Sequence, residues 1–186
     1  AESGNLSDAS EAAATISQYA AEAKVLRAMA LFDLTRIYGK PYTMDQGASL
    51  GVPVVSSTIE ASEKLPRNTV AECYTAIEND LSDAINSGAL MTENNENSNG
   101  FVNVWAAKAL QVRVYMTKGE WDKALSVAED IISNSPYSLW STSEYAGAWS
   151  ESNAAHAKEV LFELIIDDTT DWTDREGIAY LYADKA

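Results

Sequence analysis

A glycine turn between two amphipathic stretches, within residues 100–136, is the feature that most constrains how this chain folds. On both sides of Gly119, apolar and small residues recur at intervals of three and four, the spacing of one face of an α-helix. They are Trp105, Ala109, Val112 and Met116, flanked by Ala106, Leu110 and Val114, and then Trp121, Ala124, Ala128 and Ile131, flanked by Leu125 and Ile132. Small alanines let two helices approach closely, so the pattern predicts an antiparallel hairpin that needs further helices to cover it.

Two more helices are predicted upstream of this hairpin. From about residue 7 to 38 no Gly or Pro interrupts the helical spacing, and Gly39 ends the helix. Its main buried face is expected to comprise Ala12, Ile16, Tyr19, Ala23, Leu26, Ala30, Leu34 and Ile37, with Val25, Met29 and Phe32 on a second face in its latter half. Thr69 and Glu72 have the spacing of a capping box, which predicts a helix over residues 69–87.

These helices form two predicted pairs, residues 7–38 with 69–87 and residues 101–118 with 120–134. Residues 40–68 replace the short turn of the first pair, and loops of that length are uncommon in compact domains. The loop either carries function or covers one end of the helices. We therefore predict a mainly α fold of antiparallel helical hairpins with a long inserted loop.

A short strand is predicted near the carboxyl terminus. Residues 160–166 read VLFELII and are apolar on both alternating faces, as in a strand buried on both sides. No partner strand is evident.

The length of 186 residues fits one domain, residues 1–186. Because the first ten residues contain neither a helix cap nor a signal-peptide core, we interpret the chain as part of a longer protein.

The charge of the chain restricts its partners. It contains 28 acidic and 13 basic residues, a formal net charge of -15, and such a chain repels the phosphates of nucleic acids. Neutral ligands such as sugars, or proteins with a basic surface, are more compatible.

No apolar run reaches the length of about 20 residues that a membrane-spanning helix needs. The single cysteine, Cys73, lies on the apolar side of a predicted helix and is expected to be a buried small hydrophobe.

Catalytic and metal-binding patterns are weak. With one histidine, His156, and one cysteine, neither a Cys–His pair nor a zinc cluster is supported, and there is no Gly-rich phosphate loop. Carboxylates are so numerous that their pairing is weak evidence for glycosidase chemistry, and a carboxylate-dependent hydrolase remains a minor alternative. Four aspartates could approach a hard cation but lack the EF-hand spacing: Asp167, Asp168, Asp171 and Asp174. We predict no catalytic residue, no metal and no cofactor.

Aromatic residues outside the helical faces are the best candidates for a binding site. Sugar rings stack on aromatic faces while their hydroxyl groups need polar partners at the ring edges. Five aromatic residues fit this description: Trp140, Tyr145, Trp149, Trp172 and, in the inserted loop, Tyr42. The alternative is that they pack against other parts of the protein. Trp105 and Trp121 lie within the helical faces and are predicted to be in the core.

The second helix pair resembles the tetratricopeptide repeat. The matching positions are Tyr115, Gly119, Trp121, Ala124, Ala128 and Pro136. Val112 departs from the repeat, which has a small residue at that position. On this resemblance alone, an adaptor that binds a protein segment in the groove of its helices is the alternative function.

Four ordered blocks between about residues 20 and 167 resemble a more specific family, the SusD/RagB outer-membrane nutrient-binding proteins of the Bacteroidetes. The blocks are EAKVLRAMALFDLTRIYGKPY, GVPVV followed by RNTVAECYTAIENDLSDAI, WAAKALQVRVYMTKGEWDKALSVAEDII, and AKEVLFELI. The resemblance implies non-enzymatic capture of nutrients, above all oligosaccharides, at the outer-membrane surface. It also implies a TonB-dependent, SusC-like porin as partner and attachment to the membrane only through a lipid anchor that this chain lacks. Arg27 and Glu22 match the family's first helix and are expected to form structural ion pairs or hydrogen bonds.

Overall fold

The computed structural model of the chain describes residues 12–60, 62–93, 100–148 and 158–164. These residues contain the helices α1 (Ala13–Tyr38), α2 (Tyr42–Asp45), α3 (Val70–Asn86), α4 (Val104–Lys118), α5 (Trp121–Asn134) and α6 (Thr142–Ala148). Helix α1 packs on α3, α3 on α4, and α4 on α5. The predicted fold class, mainly α with helical hairpins and a long insertion, is confirmed. None of the described helices has the length and apolarity required to cross a membrane.

Ion pairs fix the direction of α1 relative to α3. Arg27 pairs with Asp80 and Lys24 with Asp83, so residue numbers rise along α1 as they fall along α3. The two helices are therefore antiparallel.

Between α4 and α5, the backbone of Gly119 has a φ of +79°, a left-handed conformation that glycine adopts without steric penalty. This residue reverses the chain as the sequence predicted.

The core lies mainly between α1 and α3 and extends to α4. Its fully buried side chains include Val25, Ala28 and Phe32 of α1, Val70, Cys73, Ile77 and Leu81 of α3, and Val114 of α4. The rings of Phe32 and Tyr74 meet edge to face, with centroids 6.1 Å apart. The Cys73 thiol donates a hydrogen bond to the Val52 carbonyl at 3.3 Å, which agrees with its prediction as a buried hydrophobe.

The predicted main face of α1 is wrong, whereas the predicted second face is confirmed for Val25 and Phe32, which are fully buried. Tyr19, Leu26, Leu34 and Ile37 are exposed, whereas the face that contacts α3 comprises Ala21, Val25, Ala28, Phe32 and Thr35 among others. The helix carries apolar residues on two faces, and the longer of the two series was assigned to the core. The face that packs on α3 combines Phe32 with small residues such as Ala21 and Ala28, which let α3 approach closely. Helix α1 begins at Ala13, and residues 7–11 of the predicted helix lie outside the described residues.

Trp121 was likewise predicted in the core, but 63% of its surface is exposed. Among the described residues, α5 packs closely on α4 alone, and Ala124 is the residue of α5 that this contact buries. Trp121 is the first residue of α5 and is not among the residues that this contact buries. Met116, also assigned to the apolar face, is 48% exposed. By contrast, Trp105 is buried as predicted.

The capping box at the start of α3 is confirmed. The Thr69 hydroxyl accepts a hydrogen bond from the Glu72 backbone N–H at 3.2 Å, and the Glu72 carboxylate accepts one from the Thr69 N–H at 2.7 Å. The hydrogen bond from the Thr69 backbone lowers the pKa of Glu72. These bonds satisfy amide groups that the first turn of a helix otherwise leaves unpaired.

The inserted loop packs against one end of α1 and α3. Arg67 donates hydrogen bonds to the carbonyls of Tyr38, Leu50 and Gly51, at 3.2, 3.0 and 2.6 Å. Gly51 approaches α3 so closely that a Cβ atom there would lie 2.9 Å from the Cys73 sulfur. The loop thereby closes the core at this end of the helices.

The strand predicted for residues 160–166 is absent from the part that the structure describes, residues 160–164. Instead of a ladder of backbone hydrogen bonds, the Leu161 carbonyl accepts a bond from the Asn103 side chain. Leu161 and Phe162 pack against the helical core. Apolar alternation therefore reflects packing on helices here, because the described part of the chain offers no sheet to join. Residues 165 and 166 lie outside the described residues.

Candidate functional site

Asn103 anchors the irregular segments that follow the helices. Its side chain is fully buried, and its carbonyl oxygen accepts hydrogen bonds at 2.9 Å from the backbone N–H groups of Trp105 and Ala106, which caps α4. Its amide group donates to the Tyr137 hydroxyl at 2.9 Å and to the Leu161 carbonyl at 2.8 Å. One side chain thus attaches two separate segments, residues 137–148 and 158–164, to the start of α4.

Two of the predicted site residues, Trp140 and Tyr145, lie together in this region. Their ring centroids are 6.3 Å apart and their planes are inclined by 69°, an edge-to-face contact. Trp140 is partly buried, whereas 56% of the Tyr145 surface is exposed. The pair therefore presents aromatic surface to solvent while one ring supports the other.

A hydrogen-bonded group of polar side chains includes the chain neighbours of this aromatic pair, Ser141 and Glu144. Glu144 accepts hydrogen bonds from the backbone N–H and the hydroxyl of Ser141, at 2.8 and 2.7 Å, and from the Lys158 ammonium at 2.9 and 2.7 Å. These bonds, the one from Lys158 first, lower the pKa of Glu144 to about 2. The carboxylate is therefore ionised at neutral pH and connects α6 to the segment that contains Lys158.

A second carboxylate fixes the backbone beside Trp140. Glu159 accepts a hydrogen bond from the Trp140 N–H at 2.8 Å, and the Ser138 N–H donates to the Lys158 carbonyl at 2.9 Å. These two hydrogen bonds, from the backbone N–H groups of Ser138 and Trp140, hold residues 138–140 alongside residues 158 and 159. The aromatic pair and two hydrogen-bonded carboxylates thus belong to the same pair of segments, and these groups can stack on a sugar ring and accept hydrogen bonds from its hydroxyl groups.

The other predicted site residues are elsewhere. Tyr42 lies in α2, where its ring meets Tyr74 edge to face at 5.3 Å and lies 5.3 Å from the Lys118 ammonium. It is half-buried between helices and is not part of the Trp140–Tyr145 pair. Trp149 and Trp172 lie outside the described residues. Their part in ligand binding, like that of Tyr42, stays a prediction.

Asn103, Ser141, Glu144, Lys158 and Glu159 were not predicted as parts of the site. Sequence signals existed for some of them: Asn103 directly precedes an apolar helical run, as N-cap residues do, and Ser141 and Glu144 have capping-box spacing. No local signal identifies Lys158 and Glu159, since their partners lie 14 and 19 residues away.

The described residues contain no group of three or more His, Cys, Asp or Glu side chains that could hold a metal ion. His156 and the four aspartates between residues 167 and 174 lie outside these residues. The carboxylates of Glu144 and Glu159 are both engaged in hydrogen bonds that shape the site. Their observed contacts are those of positioning groups.

The sequence matches SusD-like family 3, described as starch-binding and associating with the outer membrane, over residues 5–116. No curated protein sequence matches the chain. Among solved structures, it is similar to a SusD superfamily protein from Bacteroides thetaiotaomicron VPI-5482, with 41% identity, a TM-score of 0.79, and coverage of 89% of this chain and 34% of that one.

Two other solved structures are similar. A SusD superfamily protein from Bacteroides vulgatus ATCC 8482 is 32% identical with a TM-score of 0.72, covering 86% of this chain and 35% of that one. A laminarin-binding SusD-like protein is 25% identical with a TM-score of 0.61, covering 76% and 30%. The chain thus spans about a third of the length of the solved structures it matches.

Proposed function

The chain belongs to the SusD-like family, and from that premise we propose that it takes part in capturing oligosaccharides without altering them chemically. The observation that carries the proposal is the Trp140–Tyr145 pair, whose Tyr145 ring is exposed, together with the carboxylates that hydrogen-bond to the backbone of Trp140 and Ser141. The description of the family as starch-binding and the laminarin-binding relative support glycans as the ligand class.

In the proposed complex, a sugar ring lies on the exposed face of Tyr145 or Trp140. Its axial hydrogens contact the ring, and its hydroxyl groups donate to carboxylate oxygens of Glu144 and Glu159. Both carboxylates are already oriented by hydrogen bonds, so binding immobilises few additional side chains. Such preorganisation lowers the entropic penalty of association.

The state of Glu144 argues against one catalytic role for this residue, that of the general acid of a glycosidase. A retaining or inverting glycosidase needs one protonated carboxyl group as general acid. Three hydrogen-bonded donor groups hold the pKa of Glu144 at about 2, so it carries no proton to donate at neutral pH. Incubating the full-length protein with starch and laminarin oligosaccharides should yield no shorter products by chromatography, and time-dependent cleavage would overturn this part of the proposal.

We further propose that the intact protein works at the outer-membrane surface and passes its ligand to a TonB-dependent, SusC-like porin. The family description, starch-binding and associating with the outer membrane, supports this location. The test is affinity purification of the tagged full-length protein from solubilised outer membranes. Recovery with a TonB-dependent porin is expected, and recovery only from the cytoplasmic fraction would refute the location.

The binding site is tested by calorimetry of the full-length protein with starch and laminarin oligosaccharides. Trp140→Ala and Tyr145→Ala should each weaken binding about tenfold, the effect of losing one stacked aromatic ring. Trp121→Ala is the matched control because Trp121 is 63% exposed on α5, outside the site, and its loss should change affinity less than about twofold. Unchanged affinity in both site variants would remove this pair from the binding surface.

A further inference from the structure

Helix α1 carries an exposed apolar stripe along most of its length. Its members recur three or four residues apart over about five turns. We call them the outer stripe: Tyr19, Ala23, Leu26, Ala30, Leu34 and Ile37. The four large side chains are, in chain order, 58, 45, 45 and 68% exposed, and both alanines are exposed as well. The described part of the chain therefore leaves the whole outer stripe open.

The buried side of α1 lies opposite the outer stripe. Ala21, Val25, Ala28, Phe32 and Thr35 are buried on the side that packs on α3. At about 100° per residue, they lie roughly half a turn around the helix from the outer stripe. A helix that is apolar on opposite sides is covered on both in a folded protein. The described chain supplies one of the two neighbours that α1 needs.

The shape of the outer stripe fits a helix as the second neighbour. The stripe is straight and narrow, and Ala23 and Ala30 leave shallow places between the larger side chains. Side chains of a helix that crosses at a small angle can insert into such places. A glycan is a poor match, because of these six residues only Tyr19 has a polar side-chain atom to meet hydroxyl groups.

The size of the outer stripe argues against a separate protein as its occupant. The stripe is about 27 Å long and one helix wide, so it offers roughly 300 Å² of surface. A stable complex of two proteins buries about 800 Å² on each partner. A second copy is further disfavoured by the formal net charge of -15, which makes copies repel each other.

A helix of the same polypeptide does not need so large a contact. The covalent connection keeps it near the stripe at a high effective concentration. The relatives have the length to provide such a helix, since this chain aligns with 34 and 35% of two solved SusD superfamily proteins. About two thirds of each of these relatives has no counterpart in residues 1–186.

We propose that the outer stripe is the docking surface for one apolar α-helix from the portion of the full-length protein outside residues 1–186. The helix lies along α1, and its apolar side chains fill the places beside Ala23 and Ala30. Helix α1 is then covered on both sides, by α3 and by the docked helix, and the apolar surface of the outer stripe is removed from water.

Photo-cross-linking of the purified full-length protein identifies the occupant. A p-benzoylphenylalanine residue replaces Leu26, and the cross-linked peptides are identified by mass spectrometry after irradiation. The product should have the mass of a monomer and should join α1 to a peptide outside residues 1–186. The same residue in place of Asn79, at an exposed position of α3, is the matched control and should give at least about fivefold less of this product.

Melting temperatures of full-length variants test whether the stripe is covered. Leu26→Lys should lower the melting temperature by at least about 3 °C, because a charge then lies within an apolar contact. Asn79→Lys adds the same charge at an exposed position and should lower it by less than about 1 °C. Ala23→Leu should also lower it, because the larger side chain occupies the space of the docked helix, whereas at an open position it would be neutral.

Several results would overturn the proposal. A cross-linked product with the mass of a dimer would identify a second copy as the occupant. Cross-links confined to residues 1–186 would show that the chain covers its own stripe. Equal yields of the same product from positions 26 and 79 would indicate non-specific capture. Melting temperatures of Leu26→Lys and Ala23→Leu equal to that of the unmodified protein would show that the stripe stays open.

Discussion

At the scale of single residues, Arg27 and Asp80 show how one contact holds α1 on α3. The guanidinium donates two hydrogen bonds to the carboxylate, at 2.7 and 2.6 Å, and only 10% of the Asp80 side chain is exposed. Asp80→Ala should lower the free energy of unfolding by about 2 kcal/mol, because a partly buried arginine loses its partner. Urea denaturation followed by circular dichroism measures this change.

The neighbouring pair provides the control for this prediction. Lys24 and Asp83 join the same two helices at 3.3 Å, but the Asp83 side chain is 62% exposed. Asp83→Ala should cost less than about 0.5 kcal/mol, since exposed ion pairs contribute little. Equal losses in the two variants would contradict the importance of bidentate geometry and burial.

Glu144 allows a test of the polar frame around the aromatic pair by pH. Its pKa is lowered to about 2 by Lys158 and Ser141, so the folded state binds the proton less readily than the unfolded state. The stabilisation from these contacts is present above the unfolded pKa of about 4.5 and is lost as pH falls toward 2. The carboxyl carbon of Glu144 should titrate by NMR with a midpoint near 2, and a midpoint above 4 would contradict the observed contacts.

Sequence reasoning reached some of these residues but not their partners. Arg27 was expected in a structural ion pair, and it forms one, while Glu22 accepts a hydrogen bond from Gln18. The identity of Asp80 as the partner could not be predicted. The two residues are 53 positions apart, and the register of α1 on α3 decides which side chains meet.

At the scale of elements, Asn103 performs two tasks that one substitution can separate. Serine can cap α4 as asparagine does, but it has no amide group to donate to Tyr137 and Leu161. In Asn103→Ser, hydrogen exchange should accelerate at the N–H groups of Ser138 and Trp140 and remain slow at those of Trp105 and Ala106.

Two further variants complete this test. Asn103→Ala should accelerate exchange in both places, since both the cap and the attachment are lost, whereas Asn79→Ser, at an exposed position of α3, should change neither. Acceleration limited to α4 in Asn103→Ser would show that the attachment does not depend on the amide group. The glycan affinity of Asn103→Ser should also decrease if the aromatic pair binds sugar.

The elements show where periodicity predicts structure and where it does not. Glycine and the capping box marked the ends of helices correctly at Gly119 and Thr69, because these are local backbone effects. The main buried face of α1 was predicted wrongly because the helix has two apolar faces. In such a helix, the neighbouring helix decides which face is buried. The strand at residues 160–164 was wrong for a related reason, since a strand exists only where another strand pairs with it.

At the scale of the whole molecule, the helical scaffold was predictable and the candidate site was predictable only in part. Trp140 and Tyr145 were chosen as candidates because the sequence placed them outside the predicted helical faces and beside polar residues, although Tyr145 lies in α6. Their contact and the roles of Lys158 and Glu159 depend on Asn103, which brings distant segments together. Composition and local pattern contain no information about such a junction.

The distribution of apolar surface leads to a prediction for the 186-residue chain. Helix α5 exposes Trp121, Leu125 and Ile132, by 63, 58 and 80%, while the formal net charge is -15. Repulsion between copies should keep the chain monomeric at pH 7. Near pH 4.5, where carboxyl groups take up protons, this repulsion weakens and the apolar face of α5 should associate. Static light scattering should show a higher mean mass at pH 4.5 than at pH 7.

Two lysine substitutions distinguish apolar contact from charge alone. Ile132→Lys and Ser133→Lys add the same charge at adjacent exposed positions of α5, but only the first removes a large apolar side chain. At pH 4.5, Ile132→Lys should reduce the mean mass substantially, because a charged group then lies within the contact, whereas Ser133→Lys should have a small effect. If both variants associate as the unmodified chain does, the copies associate through another surface, and the prediction for the apolar face of α5 is wrong.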